Sequence, residues 1–555
     1  MGLSHLLRPT VSEKHSQNKK CQVLERIQMN ALVQPANKSR NFEAKIQALL
    51  AAQAKRQDDD ARKKLICASE LMEWLEAGFN EANVTRVADQ AGVSTATLYR
   101  LYPDRNQLFL DALKLGNQLR LDMVLDAPQH PHPFRNLIEF TYHLTSIWQQ
   151  ASVQMFYFIQ GFILQTETEI TAEARVIAAG VSQEFRHFVD AILDRLVADG
   201  FVENRDRQIM FVRLAGEISV RTRSWHGDLG APYKPAMGWY EEAIKIVEEF
   251  FFLYGTAKFR SVRQQSPIGF LDGGSLQKTP IEEINKAKFY ATLERDLPFL
   301  KDIETSLREK PTPASAHELL MLELQRMLTK SPNRLDATNR RGRIVASAAI
   351  VIYTQGFQNL SMASIAKQAG VSTATLYRLY PTNWDLYQAA YGLGVSIYFA
   401  WLGRDIQAAN PLIQFTHYNS IYFEAFLDAQ SKNAWSLDHL KGEPSEIEQV
   451  QRYSEIKVQY ENLIWQKRFS KLYAEGYVKV PPSWDMIHTF QGPTAIIIGL
   501  FMRDGAAALP KSAWFEESWR ITDEFFQIYG TPHFHAMRKK MNWDAELEAH
   551  RAKST

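Results

Sequence analysis

The sequence predicts an all-α protein built from two tandem copies of one helical unit. Fourteen residues, QAGVSTATLYRLYP, occur twice without a difference, at 90–103 and 368–381, a separation of 278 positions. An internal repeat of this length indicates a duplicated folding unit. Elsewhere, apolar residues recur at intervals of three and four, which is typical of helices, and alternation with a period of two is scarce.

The duplication extends far beyond the repeated segment. Upstream, Gly78 corresponds to Gly356 at the same separation, and downstream Trp239 corresponds to Trp514 at a separation of 275. Because the separation changes by so little, the two copies align along their whole length. We place the copies at 61–260 and 339–535.

Composition sets limits on the class of protein. A chain of 555 residues allows roughly three to four domains, and 45% hydrophobic residues are ample for packed cores. Cys21 and Cys67 form neither a disulfide framework nor a metal cluster, which fits a reducing compartment. No signal peptide is evident, and the apolar stretch 494–502 is far shorter than the about 18–20 residues that span a bilayer. We therefore expect a soluble, cytoplasmic protein without a membrane partner.

The segments outside the copies leave alternatives open. The first 40 residues hold seven basic and two acidic side chains, a net charge of +5, as in a mobile terminus or a DNA-clamping arm. Apolar spacing predicts helices at 42–55, 281–308 and 314–329, as paired extensions of the copies or as spacers. The full predicted division is 1–60 (tail and extra helix), 61–113 (first head), 114–260 (first helical domain), 261–338 (linker with helices), 339–391 (second head), 392–535 (second helical domain) and 536–555 (tail).

The repeated segment has the pattern of a helix-turn-helix. Val84 to Gln90 is predicted as a short helix, and Thr95 to Tyr102 as the helix that follows a turn. Gly92 in the turn takes positive φ at little cost, and Ser94 is a suitable N-cap. Similar turns are predicted to end longer helices at Gly200 and Gly476.

The outward residues of this element suit a DNA groove. Threonine hydroxyls bond phosphates or base edges, alanine and threonine methyls contact thymine, and helix N-termini attract phosphate. The predicted DNA-binding residues are Thr85, Ser94, Thr95, Ala96, Thr97, Tyr99, Arg100, Tyr102 and Arg105 in the first copy and Ser372, Thr373, Ala374, Thr375, Tyr377, Arg378 and Tyr380 in the second.

The runs VADQAGVSTATLYRLYPDRNQLF and IAKQAGVSTATLYRLYPTNWDLY resemble the DNA-binding domain of TetR-family transcriptional regulators. The resemblance implies a three-helix head on a helical ligand-binding and dimerisation domain, double-stranded DNA as partner, and repression released by a ligand. Family members commonly carry Tyr or His where Leu101 and Leu379 stand, and Lys where Arg105 and Asn383 stand. Because Asn383 lacks a charge, we expect the second head to bind the DNA backbone more weakly.

These features predict a sequence-specific DNA-binding regulator, a ligand-responsive repressor that acts as an intramolecular pseudo-dimer on a pseudo-palindromic operator. The segments expected to pair within one chain are 207–223, 239–254, 486–502 and 514–529. Alternatives are an activator with the same heads, a homodimer of chains with four heads, a chain with one vestigial head, and a helical adaptor that binds no DNA. No phosphate loop or catalytic motif occurs, so we expect no enzyme activity, no cofactor and no metal site.

An effector of unknown identity is expected in the helical domains. The default for such a cavity is an apolar or aromatic small molecule, although aromatic residues at these spacings also suit a core. The candidate ligand-binding residues are His143, Trp148, Tyr157, Phe162, His417, Tyr422, Phe426 and Trp435.

Overall fold

A computed structural model describes most of the two copies. The described residues are 41–51, 58–77, 82–165, 170–225, 238–265, 297–309, 316–329, 337–355, 361–406, 408–427, 444–504 and 513–542, with single positions at 289, 291, 293, 545 and 548. Within them the regular structure is helical, apart from two isolated β-bridges. None of the described helices combines the length and the apolar character needed to cross a bilayer. The predicted N-terminal tail lies outside the described residues.

The first unit comprises helices α1 to α11. They are α1 (Phe42–Ala51), α2 (Asp59–Ala77), α3 (Val84–Gln90), α4 (Thr95–Leu101), α5 (Arg105–Leu125), α6 (Pro133–Trp148), α7 (Ala151–Gln165), α8 (Thr171–Ala198), α9 (Arg207–Trp225), α10 (Trp239–Tyr254) and α11 (Ala257–Gln265).

The second unit comprises helices α12 to α22. They are α12 (Leu300–Glu309), α13 (Ala316–Thr329), α14 (Ala337–Gln355), α15 (Met362–Ala369), α16 (Thr373–Leu379), α17 (Asn383–Gly403), α18 (Pro411–Leu427), α19 (Pro444–Ala474), α20 (Trp484–Asp504), α21 (Trp514–Tyr529) and α22 (Pro532–Arg538).

The duplication is visible in the way long helices end. The prediction of left-handed glycines is confirmed, since Gly200 has a φ of 72° and Gly476 a φ of 75°. Two residues later, Val202 and Val478 each form a single antiparallel bridge, with Gly255 and Gly530 respectively. Because a β-carbon is strained at positive φ, these turns need glycine in both units.

The helices that precede each head are a matched pair. Helix α1 packs on α2, and α13 packs on α14. Phe42 and Ile46 are fully buried, and Leu320 and Leu324, which lie 278 positions further on, are also buried. These contacts support paired extensions rather than spacers, so each unit includes its leading helix.

The predicted continuous helix over 281–308 is wrong in its described part. Leu297 to Phe299 form a turn, and α12 begins only at Leu300. Pro298 explains the difference, because a proline disfavours the helical conformation of the residue before it.

The two units pack together through α9 and α10 of the first and α20 and α21 of the second. Helices α9 and α20 make the closest approach, where Gly216 faces Gly492. A β-carbon added to Gly216 would lie 2.5 Å from the carbonyl carbon of Gly492. The two backbones are therefore in direct contact, which only glycine permits. These helices coincide with the four segments predicted to pair.

Charged side chains are buried where these four helices meet. Arg221 is fully buried and bonds carboxyl groups from both units, including Glu217 at 2.8 Å and Asp485 at 3.0 Å. Arg213 donates to Glu524 at 2.7 Å across the same contact. Buried ions of this kind persist only when they are paired and hydrogen-bonded, so the contact between the units depends on this set of partners.

The buried cluster makes stability depend on pH. Burial and the nearby Glu249 carboxylate raise the pKa of Glu217 to about 8 from an ordinary value of 4.5. A carboxyl with a raised folded-state pKa stabilises the protein fully below its unfolded pKa, and this contribution is lost as the pH rises towards about 8. We therefore expect Glu217→Gln to flatten the decline in melting temperature between about pH 5 and pH 8. The exposed Glu203→Gln is the control, and parallel profiles for Glu217→Gln and the unchanged chain would contradict the assignment.

Candidate nucleic-acid interface

Each head places two short helices at a tight turn. In the first head, α3 and α4 are joined at Gly92, which has a φ of 67°, and Gly370 has a φ of 69° at the same place in the second. The hydroxyl of Ser94 accepts a hydrogen bond from the backbone N–H of Thr97 at 3.1 Å. Ser372 caps α16 with the same length of bond. The predicted turn glycine and N-cap of the first head are confirmed, and the second head has the same two features.

Helices α4 and α16 present the same exposed face. Leu98 and Leu376 point into the cores of the heads. Tyr99 is 58% exposed and Tyr377 is 52% exposed, although tyrosine is a large and partly apolar side chain. The other exposed members of this face are Thr95, Ala96, Arg100, Thr373, Ala374 and Arg378, with Ser94, Thr85 and Ser372 exposed beside them and Thr97 and Thr375 half-buried. A protruding tyrosine beside threonine and arginine can contact phosphate and base edges.

Tyr102 differs from the outward position that the sequence suggested. Its ring is buried, and its hydroxyl donates to Asp111 at 3.1 Å and lies 3.2 Å from the Cys67 sulfur. The hydroxyl finds both partners inside the head, which removes it from the exposed face. Tyr380 at the equivalent position is half-buried.

Arg105 is engaged within the first head. It donates to the buried Glu70 carboxylate at 2.8 Å and to the Ala82 carbonyl at 3.2 Å. Glu70 corresponds to Ala348, and Arg105 to Asn383, so the second head lacks both partners. The charge of Arg105 therefore compensates that of the buried Glu70. The geometry does not support the expectation that Arg105 lets the first head bind the DNA backbone more strongly than the second.

Arg100 on the exposed face of α4 is also engaged. Its guanidinium forms two hydrogen bonds with Asp59 at the start of α2, both 2.9 Å long. These bonds and the charge of Arg100 lower the pKa of Asp59 to about 2, so the carboxylate is ionised at neutral pH. Alanine stands at the equivalent position 337, whereas Arg378 is retained.

The two heads differ in net charge, although their repeated segments are identical. Residues 59–111 hold six basic and nine acidic side chains, a net charge of −3. The matching residues 337–389 hold five basic and one acidic side chain, a net charge of +4. Comparing each copy by itself would have found this difference, which is hidden by the net charge of +2 for the whole chain.

The predicted ligand-binding residues are packed where the structure describes them. His143 is buried with its Nε2 2.7 Å from the Met123 carbonyl, and Trp148 stacks on Tyr157 at 4.2 Å between ring centres. Tyr422 accepts a hydrogen bond from the Trp465 indole at 2.9 Å. His417 lies 5.0 Å from the Phe515 ring, also between centres. The side chains of Phe162, Phe426 and Trp435 lie outside the described residues.

Comparisons with known proteins match the heads. A family model described as "Bacterial regulatory proteins, tetR family" matches residues 71–112 and 344–390, which include both helix-turn-helix elements. Among solved structures, the chain is similar to a protein assigned as a TetR-family transcriptional regulator, from Mesorhizobium loti MAFF303099. The identity is 12%, the alignment covers 36% of this chain and 100% of that chain, and the TM-score is 0.32. No curated protein matches the chain.

Proposed function

We propose, on the premise that this chain is a TetR-family protein with two tandem units, that it binds an inverted-repeat DNA site as a single polypeptide. The chain is a transcriptional regulator of the TetR kind. The finer statement is ours: both heads read DNA, and the two units of one chain act together as a pseudo-dimer.

The single observation that carries the proposal is the identity of the two exposed faces. Every residue of α4 is repeated in α16, including the exposed Tyr99 and Tyr377. Two identical readers suit two similar half-sites about one helical turn of DNA apart.

The charges between the units favour pairing within one chain. Arg213, Glu217 and Arg221 of α9 correspond, at a separation of 276, to Thr489, Pro493 and Ile497 of α20. Two first units brought together in the same way would keep an acid, Glu249, at the position of Glu524 but would have Ile209 at the position of Asp485. The buried Arg221 of each unit would then lose one carboxyl partner, which favours unlike units as partners.

We further propose that the regulator is a repressor released by an apolar or aromatic effector. Activation through the same heads is the alternative, because the sign of regulation depends on where the operator lies. Gel-shift titration of a reporter operator, combined with transcription in vitro from the same template, distinguishes the two.

The test of the main proposal is selection of random duplex DNA by the full-length chain, followed by sequencing and by mass photometry of the complex. We expect an enriched inverted repeat bound by one chain. A single half-site would mean an idle head, and a longer site bound by two chains would mean a dimer with four heads. No enrichment at low salt would overturn DNA binding itself.

Removing both exposed tyrosines is expected to abolish specific DNA binding. The double variant Tyr99→Ala with Tyr377→Ala deletes the largest side chain from each face, and both residues are exposed, so folding should be unaffected. Fluorescence anisotropy with the selected duplex measures the loss. The control is Tyr473→Ala, which removes an exposed tyrosine outside the heads. Unchanged binding by the double variant would move the interface elsewhere.

A further inference from the structure

We propose that the two heads bind DNA with unequal strength despite their identical recognition helices, because Asp59 bonds Arg100 in the first head while alanine stands at the equivalent position 337 of the second. The inference rests on the proposed function, since it concerns how the two heads share one DNA site. It reverses the expectation that the second head is the weaker one.

In the first head, the contact between Arg100 and Asp59 joins α4 to the start of α2. Asp59 is the first residue of α2, and Arg100, 41 residues later, lies near the end of α4. Their two hydrogen bonds form a bidentate pair between the guanidinium and the carboxylate. The Arg100 side chain is 55% exposed and that of Asp59 is 50% exposed. DNA can therefore reach Arg100. A phosphate must first displace the Asp59 carboxylate, because both groups bind the same two N–H donors of the guanidinium.

The second head keeps the arginine and loses the acid. Position 337, equivalent to Asp59, is alanine, and within the described residues Arg378 is exposed and forms no ion pair. Two other arginines of the first head, Arg105 and Arg86, pair with acids of α2, and in the second head both the arginines and the acids are absent. Arg105 and Glu70 became Asn383 and Ala348, and Arg86 and Glu73 became Ser364 and Val351. Arg378 is retained although alanine stands at position 337, and so is Arg340, the counterpart of Arg62, which also bonds Asp59 in the first head.

The remaining charges act in the same direction. The first head carries a net charge of −3 over residues 59–111, and the second carries +4 over 337–389. Phosphate binding is driven by basic side chains and the release of counterions, so the second head has the greater sequence-independent attraction to DNA. The second head then contributes more of the free energy of DNA binding. The first head contributes less, because Arg100 must give up its hydrogen bonds to Asp59 before it can bind DNA.

A double-mutant cycle tests the inference directly. The DNA is a palindrome with two identical half-sites, so that both heads meet the same bases, and the protein is the full chain. Arg378→Ala should weaken binding by about tenfold or more, as expected for hydrogen bonds to a charged group. Arg100→Ala should cost about two- to fivefold less than Arg378→Ala, because the wild-type arginine first has to leave Asp59. In an Asp59→Asn background, Arg100→Ala should cost as much as Arg378→Ala.

Substitutions that remove or add one acidic side chain near the start of α2 or α14 supply the controls. Asp59→Asn alone should strengthen binding by about two- to fivefold. Asp60→Asn removes the same charge from the same helical turn without touching Arg100, so it should strengthen binding less. Ala337→Asp introduces the acid into the second head and should weaken binding. The side chains of Asp59, Asp60, Arg100 and Arg378 are exposed, and thermal melting verifies the fold of every variant.

The outcomes separate this inference from the proposed function. Equal losses for Arg100→Ala and Arg378→Ala, or equal gains for Asp59→Asn and Asp60→Asn, in a chain that binds the palindrome would overturn the inequality alone. A wild-type chain that binds no duplex at about 50 mM salt would overturn the proposed function and the inference together.

Discussion

Arg221→Met is expected to destabilise the protein by about 3–5 kcal/mol, because breaking a buried ion pair from one side leaves uncompensated charge. Arg221 is fully buried among the carboxyl groups of Glu217, Glu242, Glu249 and Asp485. Methionine fills a similar volume but donates no hydrogen bond. Urea titration followed by tryptophan fluorescence measures the change.

A surface arginine provides the matched control for this substitution. Arg205 pairs with Glu203 at 2.8 Å, but its side chain is 61% exposed. Arg205→Met should therefore change stability by less than about 1 kcal/mol. Equal effects of the two substitutions would mean that the buried cluster contributes nothing beyond an ordinary surface pair.

Gly216→Ala is expected to destabilise the contact between the units by about 1–3 kcal/mol, although alanine normally favours a helix. The added β-carbon would lie 2.5 Å from both the carbonyl carbon and the carbonyl oxygen of Gly492, and backbone atoms cannot rotate away. The helices α9 and α20 must separate, which also loosens the charges buried beside them. Differential scanning calorimetry measures the fall in melting temperature.

Gly180 supplies a control with the opposite sign. It lies exposed in α8, and no heavy atom stands within 4 Å of an added β-carbon. Gly180→Ala should therefore stabilise by about 0.5–1 kcal/mol through helix propensity alone. A stabilising Gly216→Ala would show that the two backbones do not touch as the structure places them.

Local features of the heads were predictable from the sequence. The turn at Gly92, the Ser94 cap and the buried Leu98 each depend on residues within a few positions of one another. The left-handed Gly200 followed from the same kind of short-range argument. Local rules apply here because the backbone conformation at these positions leaves few residue types to choose from.

Partners distant in sequence were not predictable in the same way. Tyr102 was assigned outward because nothing nearby marks Cys67 and Asp111 as its partners. Arg105 was read as a phosphate contact because its acid, Glu70, lies 35 residues away on α2. Only the packing of the helices brings such groups together, so an arginine near a DNA face cannot be assigned from its own segment alone.

Because both units lie in one polypeptide, occupancy of a DNA site depends on protein concentration differently than it does for separate subunits. A regulator assembled from separate subunits loses its active form on dilution, so occupancy of its operator falls with the square of subunit concentration when dimers are scarce. Here α9 and α20 meet within one molecule, and the proposed reader forms without a collision between chains. Occupancy then follows the first power of protein concentration, and halving the copy number at cell division changes it proportionately.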